Sequence, residues 1–233
     1  MNKAFSLSGP VIGLYAGKPE ALWPGKPPSA IRKRPLDGPV EIDASGLVGD
    51  LQADLAVHGG PEKAVHHYAA EHMAFWRTMY PGRADFFRPG CFGENVSTTG
   101  ITEHALCIGD VLSLGSARVQ VCQGRQPCWK LSAHVGLKDM AAQFQLTGRT
   151  GWYYRVLKGG SAAAGDEMRL LDRLHPDLSV HAVTQARFAR RLDPAMAERL
   201  AALDALSENW RAAFAKKTDR FYREDARARL DGP

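Results

Sequence analysis

Cys128 lies at the point of this sequence where residue types and spacing most strongly indicate chemistry. It follows an alternating segment, RVQVC, and a Gly-Arg-Gln-Pro break, with Arg125 three residues before it and Lys130 two residues after it. Neighbouring cations favour the thiolate, which is both a nucleophile and a ligand for soft metals. The spacing therefore indicates a reactive or ligating thiol, and the alternative is a small buried hydrophobic residue.

Four loops combine glycine with polar side chains, and together they predict a polar ligand site. Glycine lets a backbone approach a ligand closely, and exposed backbone N–H groups bind anions. Each loop alone is as well explained by an ordinary turn. The loops span residues 46–50, 58–63, 92–97 and 124–128.

Three histidines, His58, His66 and His67, are candidate ligands or bases. Their spacing differs from H-E-x-x-H and no second cluster completes a zinc site. His66 and His67 are expected to point to opposite faces of one strand. A Cys–His hydrolase with Cys128 as the nucleophile is an alternative that no local motif supports.

The elements that must position these residues read as a β domain followed by helices. Short apolar segments between Gly and Pro in residues 11–60 are typical of a barrel or sandwich. The spacing predicts a helix near 69–80, a hairpin turning at Gly115-Ser116, and a helix ending at Gly148. About eight or more strands and two helices are expected within residues 1–174.

Glycine becomes rare after His175-Pro176, and three helices are predicted there. Asp193-Pro194 has the pattern of an N-cap and first helical residue, and Ser207 is expected to cap the last helix. The charge-rich end, residues 216–233, is expected to be frayed. We predict a β-barrel domain over 1–174 and a three-helix domain over 175–233.

Composition excludes several classes of function. The 233 residues carry a net charge of +5, and residues 176–233 hold eleven Lys and Arg against nine Asp and Glu, so no basic stripe for duplex binding is evident. The four cysteines contain no C-x-x-C and no iron–sulfur spacing. With no secretory signal and no apolar run of about twenty residues, we expect a cytoplasmic protein that does not enter a membrane.

Five motifs, taken together in this order and spacing, resemble the MOSC domain (molybdenum cofactor sulfurase C-terminal domain). The similarity covers about residues 27–173, and the helical tail resembles the extension of YiiM-type proteins, a family linked to N-hydroxylaminopurine resistance. The resemblance implies an α+β fold: a MOSC-type β-barrel core with a few helices, followed by a small three-helix domain. The motifs are GLVGD, VHGGPEKAVHHY, FGENVSTTGIT, IGDVL and GRQPCWKL.

The resemblance also implies a cofactor, the molybdenum cofactor, in which a molybdopterin with a dithiolene and a terminal phosphate holds the metal. Cys128 falls on the family's cysteine and is the expected molybdenum ligand and catalytic residue. Lys26, Arg32 and Lys33 are either further cations at the pocket mouth or solvated surface, whereas Trp129 and Cys122 are expected in the core. The residues expected to bind the cofactor are Asp50, His58, Gly59, Gly60, Lys63, Glu94, Asn95, Ser97, Arg125 and Lys130.

The activity implied by the resemblance is that of a molybdenum-dependent oxidoreductase, independent of pyridoxal phosphate. It removes oxygen from N-hydroxylated compounds such as hydroxylamino-purines, amidoximes or hydroxamates. Electrons are expected from a separate flavin reductase or ferredoxin-type protein, and His58 or His67 is the expected proton donor.

Two other classes of function stay open at this point. One is a carrier in which Cys128 holds sulfur or hands on the cofactor without turnover. The other is a nucleic-acid or interaction protein working through the helical tail, which the near-balanced charge of that tail disfavours. The tail itself is interpreted as a docking surface, a homodimer contact or a simple cap on the barrel.

Overall fold

The structure is a computed structural model that describes residues 6–54 and 59–232. His58, predicted as a cofactor-binding residue and proton donor, lies outside these described residues. No helix in the described ranges is long and apolar enough to cross a membrane.

A closed barrel of seven strands forms the centre of the described fold. The strands are ordered β11-β7-β8-β9-β5-β6-β1, and β1 pairs back onto β11, so the sheet has no open edge there. β2 extends β1, and β3, β4 and β10 form a small second sheet. The strands in the described residues are β1 Ser8–Ala16, β2 Arg34–Pro35, β3 Val40–Asp43, β4 Gly46–Leu47, β5 Val65–Ala69, β6 Val96–Thr98, β7 Val111–Leu114, β8 Ala117–Gly124, β9 Trp152–Lys158, β10 Gly160–Ala162 and β11 Glu167–Asp172.

One pairing in the barrel, β5 with β6, is parallel, and the others are antiparallel. A parallel pair needs a long crossover, which the residues between Ala69 and Val96 provide. By contrast β7 and β8 form the predicted tight hairpin. Gly115 has φ 56° at its turn, and a Cβ there would lie 2.1 Å from the carbonyl oxygen of Ser161.

Helices pack against the barrel, as α4 does on β8. The predicted helices near 69–80 and before Gly148 are confirmed, and Gly148 closes the latter with φ 69°. The short helix that follows Cys128 was not predicted. The α-helices in the described residues are α1 His72–Met79, α2 Trp129–Val135, α3 Met140–Thr147, α4 Val180–Phe188, α5 Pro194–Ala201, α6 Glu208–Lys217 and α7 Arg227–Asp231. Two 3-10 segments, Pro61–Lys63 and Pro81–Phe86, complete them.

The predicted caps of the C-terminal helices are confirmed. Asp193 accepts a hydrogen bond from the Met196 amide with Pro194 at the first helical position, and Ser207 accepts one from the Trp210 amide. The helices share one hydrophobic core with the barrel, since Trp210 and Phe214 join its apolar cluster. The α+β class, a β-barrel core followed by C-terminal helices, is thus confirmed, and the division at 174/175 stays a prediction.

The expectation of a frayed end at residues 216–233 needs correction for the described part of that stretch. α7 forms there and packs on α2, where a Cβ added to Gly232 would lie 2.7 Å from the Trp129 ring. The charges that made the stretch look solvated are used in contacts: Glu224 pairs with Arg187 at 2.6 Å.

Candidate functional site

Cys128 stands between the end of β8 and the start of α2, with extended backbone at φ −133° and ψ 172°. It is half-buried, whereas Cys91, Cys107 and Cys122 are buried. Cys122 donates to the Glu62 carbonyl at 3.0 Å, and burial raises the pKa of its thiol to about 12. Cys122 is therefore structural, as predicted, and Cys128 is the accessible thiol.

A pocket, here called the inner pocket, opens beside Cys128 at the end of the barrel. Strand ends from β5, β8 and β9 meet there with the loops before β2 and before β6. Its lining is Ser29, Ala30, Ile31, Lys33, Asp50, Leu51, Gln52, Ala53, Lys63, His66, Phe92, Gly93, Asn95, Arg125, Gln126, Cys128, Lys130 and Tyr153.

A buried ion pair anchors one wall of the inner pocket. The Lys33 ammonium lies 2.5 Å from Asp50, and their side chains are 8% and 3% exposed. Asp50 also accepts from the Gly17 amide at 2.7 Å and from the Asn95 side-chain amide at 2.8 Å. Burial lowers the pKa of Lys33, and Asp50 opposes that change. Lys33 thus belongs to the pocket wall itself, which resolves its open assignment, while Arg32 pairs with Glu20 on the surface.

Two buried side chains in the inner pocket have unsatisfied polar atoms. Nη1 of Arg125 and Nε2 of His66 are both buried and lack a hydrogen-bond partner. His66 Nδ1 lies 3.2 Å from the Gly93 carbonyl oxygen, which can only accept, so Nδ1 carries the proton and Nε2 is an open acceptor. Burial, and next Arg125, hold the pKa of His66 well below its usual range. The pocket therefore offers a buried cationic donor beside a neutral acceptor.

Two further cations complete the inner pocket. Lys130 is buried and donates to the Pro28 carbonyl at 3.1 Å, which ties α2 to the loop before β2. Lys63 ends the 3-10 segment before β5, and burial lowers its pKa. With Lys33 and Arg125, four cations face Asp50 alone among the lining carboxylates of the described chain. This balance favours an anionic ligand.

The structure brings six of the predicted site residues together: Asp50, Lys63, Asn95, Arg125, Cys128 and Lys130. It places the other described ones elsewhere. Gly59 and Gly60 lie outside the lining, in the turn before β5.

Two predicted site residues that do not line the inner pocket, Glu94 and Ser97, support its loop and wall from behind. The Glu94 carboxylate is buried and accepts from the amides of Gly90 at 2.5 Å and Phe92 at 2.9 Å, so it shapes the loop before β6. Burial raises its pKa. Ser97 donates to the Tyr68 carbonyl at 3.0 Å within the barrel wall. Both therefore act on the pocket indirectly.

His67 is the main correction to the expected site. It points into the barrel, where Nδ1 lies 2.9 Å from the Tyr154 hydroxyl and Nε2 lies 2.8 Å from the Thr98 hydroxyl. Burial lowers its pKa to about 3. The two histidines do point to opposite faces of β5, as predicted, but His66 is the one in the pocket. The closure of the barrel decides which face of β5 points into the interior and which faces the pocket.

A second concavity, the outer cleft, lies on the other side of Cys128 between the barrel and the C-terminal helices. Trp129, expected in the core, is half-buried here and packs its ring 5.4 Å from Trp23. The lining is Lys63, Gln123, Gln126, Cys128, Trp129, Tyr153, Arg187, Asn209, Trp210, Ala212, Ala213, Lys216, Tyr222 and Arg229. Cys128 is thus accessible from both concavities.

Metal-ligating side chains do not cluster in the described residues. No group of three or more His, Cys, Asp or Glu is arranged there to hold an ion. A metal at Cys128 would therefore take its remaining ligands from a bound group or from solvent.

Comparison with known proteins agrees with this architecture. Residues 54–169 match the model of the MOSC domain, and residues 178–219 match that of the YiiM-like 3-alpha helix domain. The Escherichia coli protein YiiM is 37% identical over 221 residues, which cover 95% of this chain and 98% of that protein. The chain belongs to the YiiM-type family of MOSC-domain proteins.

Other relatives extend this similarity. YflK of Bacillus subtilis is 42% identical to this YiiM-type chain over 215 residues, 90% of the chain and 95% of YflK. The crystal structure of E. coli YiiM superposes with a TM-score of 0.81 at 31% identity, covering 97% of this chain and 100% of that one. A Gibberella moniliformis protein named Reductase is 39% identical over 169 residues, 72% of this chain and 30% of that protein.

Proposed function

We propose that this YiiM-type chain is a molybdenum-cofactor-dependent reductase of N-hydroxylated compounds. The observation that carries the proposal is the half-buried Cys128 thiol at the rim of a cation-lined pocket with an unsatisfied buried donor and acceptor. Membership of the MOSC family and the relative named Reductase support the same class of chemistry.

The residues present fit the cofactor. A pterin edge offers N–H groups, for which His66 Nε2 is a buried acceptor, and its phosphate matches Arg125 and the neighbouring lysines. The thiolate of Cys128 is a soft ligand suited to molybdenum. Asp50 and Asn95 hold Lys33 and the β5 backbone in place, since Asn95 accepts from the His66 amide at 3.0 Å.

When bound, the molybdenum cofactor supplies the two-electron chemistry that converts R–NHOH, with two electrons and two protons, to R–NH2 and water. Cys128, which lines both the inner pocket and the outer cleft, would hold the metal. His67 lies inside the barrel with both ring nitrogens bonded, and the His66 Nδ1–H is held by the Gly93 carbonyl, so we assign the protons to solvent that reaches Cys128 through the outer cleft. This replaces the expected donor role of His67.

The electrons come from a separate partner, a flavin reductase or a ferredoxin-type protein. The barrel and the C-terminal helices account for the described chain, and its cysteine spacings do not match those of iron–sulfur ligands. We place this reaction in the cytoplasm, where thiols stay reduced.

The decisive experiment is the molybdenum content per chain after expression in a host that makes the cofactor. The native protein and Cys107→Ala, a buried thiol away from both concavities, are expected to hold close to one metal each. Cys128→Ala is expected to lose it by more than about tenfold. Equal metal in Cys128→Ala and the native chain would contradict the assignment of the ligand.

A turnover assay then separates the reductase from the carrier alternative. Loaded native protein with an artificial electron donor is expected to reduce benzamidoxime repeatedly, and Cys128→Ala is not. Stoichiometric metal with no turnover on amidoxime, hydroxamate or hydroxylamino-purine would favour a protein that carries the cofactor.

A further inference from the structure

The C-terminal segment of the chain forms one wall of the outer cleft. We call residues 219–232 the C-terminal strap. Arg229 of the strap donates to the Pro127 carbonyl, next to Cys128, and to the Gln145 side chain at 2.8 Å. Glu224 holds the middle of the strap against Arg187 at 2.6 Å. The strap therefore closes one side of the cleft over the thiol.

The lining of the outer cleft is aromatic and cationic. Trp129, Trp210 and Tyr222 contribute rings, and Lys216 and Arg229 contribute positive charge, whereas the charge of Arg187 is balanced by Glu224 outside the lining. No carboxylate is among the described lining residues. Aromatic side chains stack on planar heterocycles, and guanidinium and ammonium groups bind phosphate oxygens.

Two polar atoms in this lining are unsatisfied. Gln123 and Arg187 are 2% and 9% exposed, and the Gln123 Oε1 acceptor and the Arg187 Nε donor have no hydrogen-bond partner. Leaving such atoms unpaired is unfavourable. A ligand with both a donor and an acceptor would satisfy them, as the edge of a nitrogen heterocycle does.

We propose that the outer cleft binds a planar heteroaromatic group carrying a phosphate, so that the substrate is a nucleotide rather than a free base. The ring contacts Trp129 and Tyr222, and the phosphate pairs with Lys216. Placing the N-hydroxylated atom toward Cys128 rests on the proposed function, but the binding of the ring and phosphate does not.

Equilibrium binding to the full chain, without added molybdenum cofactor, tests the subsite. The probes are adenosine 5′-monophosphate and adenosine, which lack the N-hydroxy group, followed by calorimetry or tryptophan fluorescence. The monophosphate is expected to bind at least about tenfold more tightly, the effect of one charge-assisted contact, and to weaken as salt rises.

Matched variants locate the phosphate and the ring. Lys216→Ala is expected to weaken monophosphate binding by about tenfold and to leave adenosine binding unchanged. Trp129→Leu is expected to weaken both ligands. Lys158→Ala removes an exposed cation of β9 away from the cleft and is expected to change neither.

Two outcomes would overturn the inference. One is equal affinity for the monophosphate and adenosine. The other is monophosphate binding that falls in Arg125→Met but not in Lys216→Ala, which places the anion in the inner pocket. If the native chain binds the monophosphate but takes up no molybdenum, the proposed function would be overturned and the nucleotide subsite would stand.

Discussion

The barrel interior and the inner pocket both bury polar side chains, but they treat them differently. In the interior both ring nitrogens of His67 are bonded, and Glu103 accepts from His72 at 2.7 Å and from the Gly151 amide at 2.8 Å. In the pocket, Arg125 Nη1 and His66 Nε2 are left open. The two histidines are neighbours in sequence and differ only in the side of β5 they occupy.

This difference separates side chains kept for stability from those available to a ligand. Buried polar groups are normally paired, so an unpaired charged donor beside an unpaired acceptor indicates a binding partner. The interior is not free of exceptions, since Trp152 Nε1 also lacks a bond. That atom is a single neutral donor in the barrel core, whereas the pocket has a cation and an acceptor at an accessible thiol.

The largest effect is expected from breaking a paired charge of the interior. Asp110 is fully buried, accepts from Arg173 at 2.6 Å and accepts from the Cys107 amide at 2.8 Å. Asp110→Ala removes one partner of this buried charge pair and is expected to lower the free energy of unfolding by about 3–5 kcal/mol. Urea unfolding measures the change. A loss below about 1 kcal/mol would contradict the view that the paired buried charges are kept for stability.

The buried histidines are expected to make the stability of the fold depend on pH. Below about pH 6.5 unfolded His67 takes up a proton, while native His67, with a pKa of about 3, stays neutral. Stability is therefore full above pH 6.5 and falls as the pH drops, by about 2 kcal/mol from this group at pH 5. His66 acts in the same direction.

Unfolding free energies at pH 7 and pH 5 measure this dependence. His67→Gln is expected to remove about 2 kcal/mol of the difference, whereas His104→Gln, at an exposed histidine, is expected to keep it. An unchanged pH dependence in His67→Gln would show that the interior histidine is not buried in its neutral form.

Adjacent tyrosines of β9 give a matched pair with a smaller effect. Tyr154 bonds His67 inside the barrel, whereas Tyr153 lines both concavities. Tyr154→Phe is expected to cost about 1–3 kcal/mol of unfolding free energy by leaving a histidine nitrogen unpaired, and Tyr153→Phe less than about 0.5 kcal/mol. Equal losses in thermal or urea unfolding would contradict the distinction.

Arg125 is expected to contribute little to the stability of the fold. Its Nη1 makes no bond, so Arg125→Met is expected to change the free energy of unfolding by no more than about 1 kcal/mol. Molybdenum content is expected to fall at the same time, since Arg125 is the proposed partner of the cofactor phosphate. A large stability loss with full metal content would make Arg125 a structural residue.

Local features of the fold were predictable from sequence because they depend on near neighbours. The hairpin at Gly115, the helix stop at Gly148 and the caps at Asp193 and Ser207 all follow from backbone conformation and hydrogen bonds within a few residues. The helix after Cys128 was missed because its seven residues are stabilised by packing and by the Lys130 bond to Pro28.

Long-range features of the site were less accessible. The resemblance of motifs identified six residues of the inner pocket, among them Asn95. Glu94 and Ser97 belong to the same motif as Asn95, but they support the pocket from behind. Motifs record which residues occur together and not which way each side chain points. The alternation of His66 and His67 along β5 indicated that one of them faces the pocket. It could not indicate which one.

By itself the sequence determined the accessible thiol between cations, the order of barrel and helices, and the opposite orientation of His66 and His67. Tertiary structure alone decided that β1 closes onto β11, that His66 faces the pocket, and that Arg229 reaches Pro127 from 102 residues away. The physical reason is range. Turns, caps and alternation depend on bonds between near neighbours, whereas burial and unpaired atoms depend on which distant segments the closed barrel brings together.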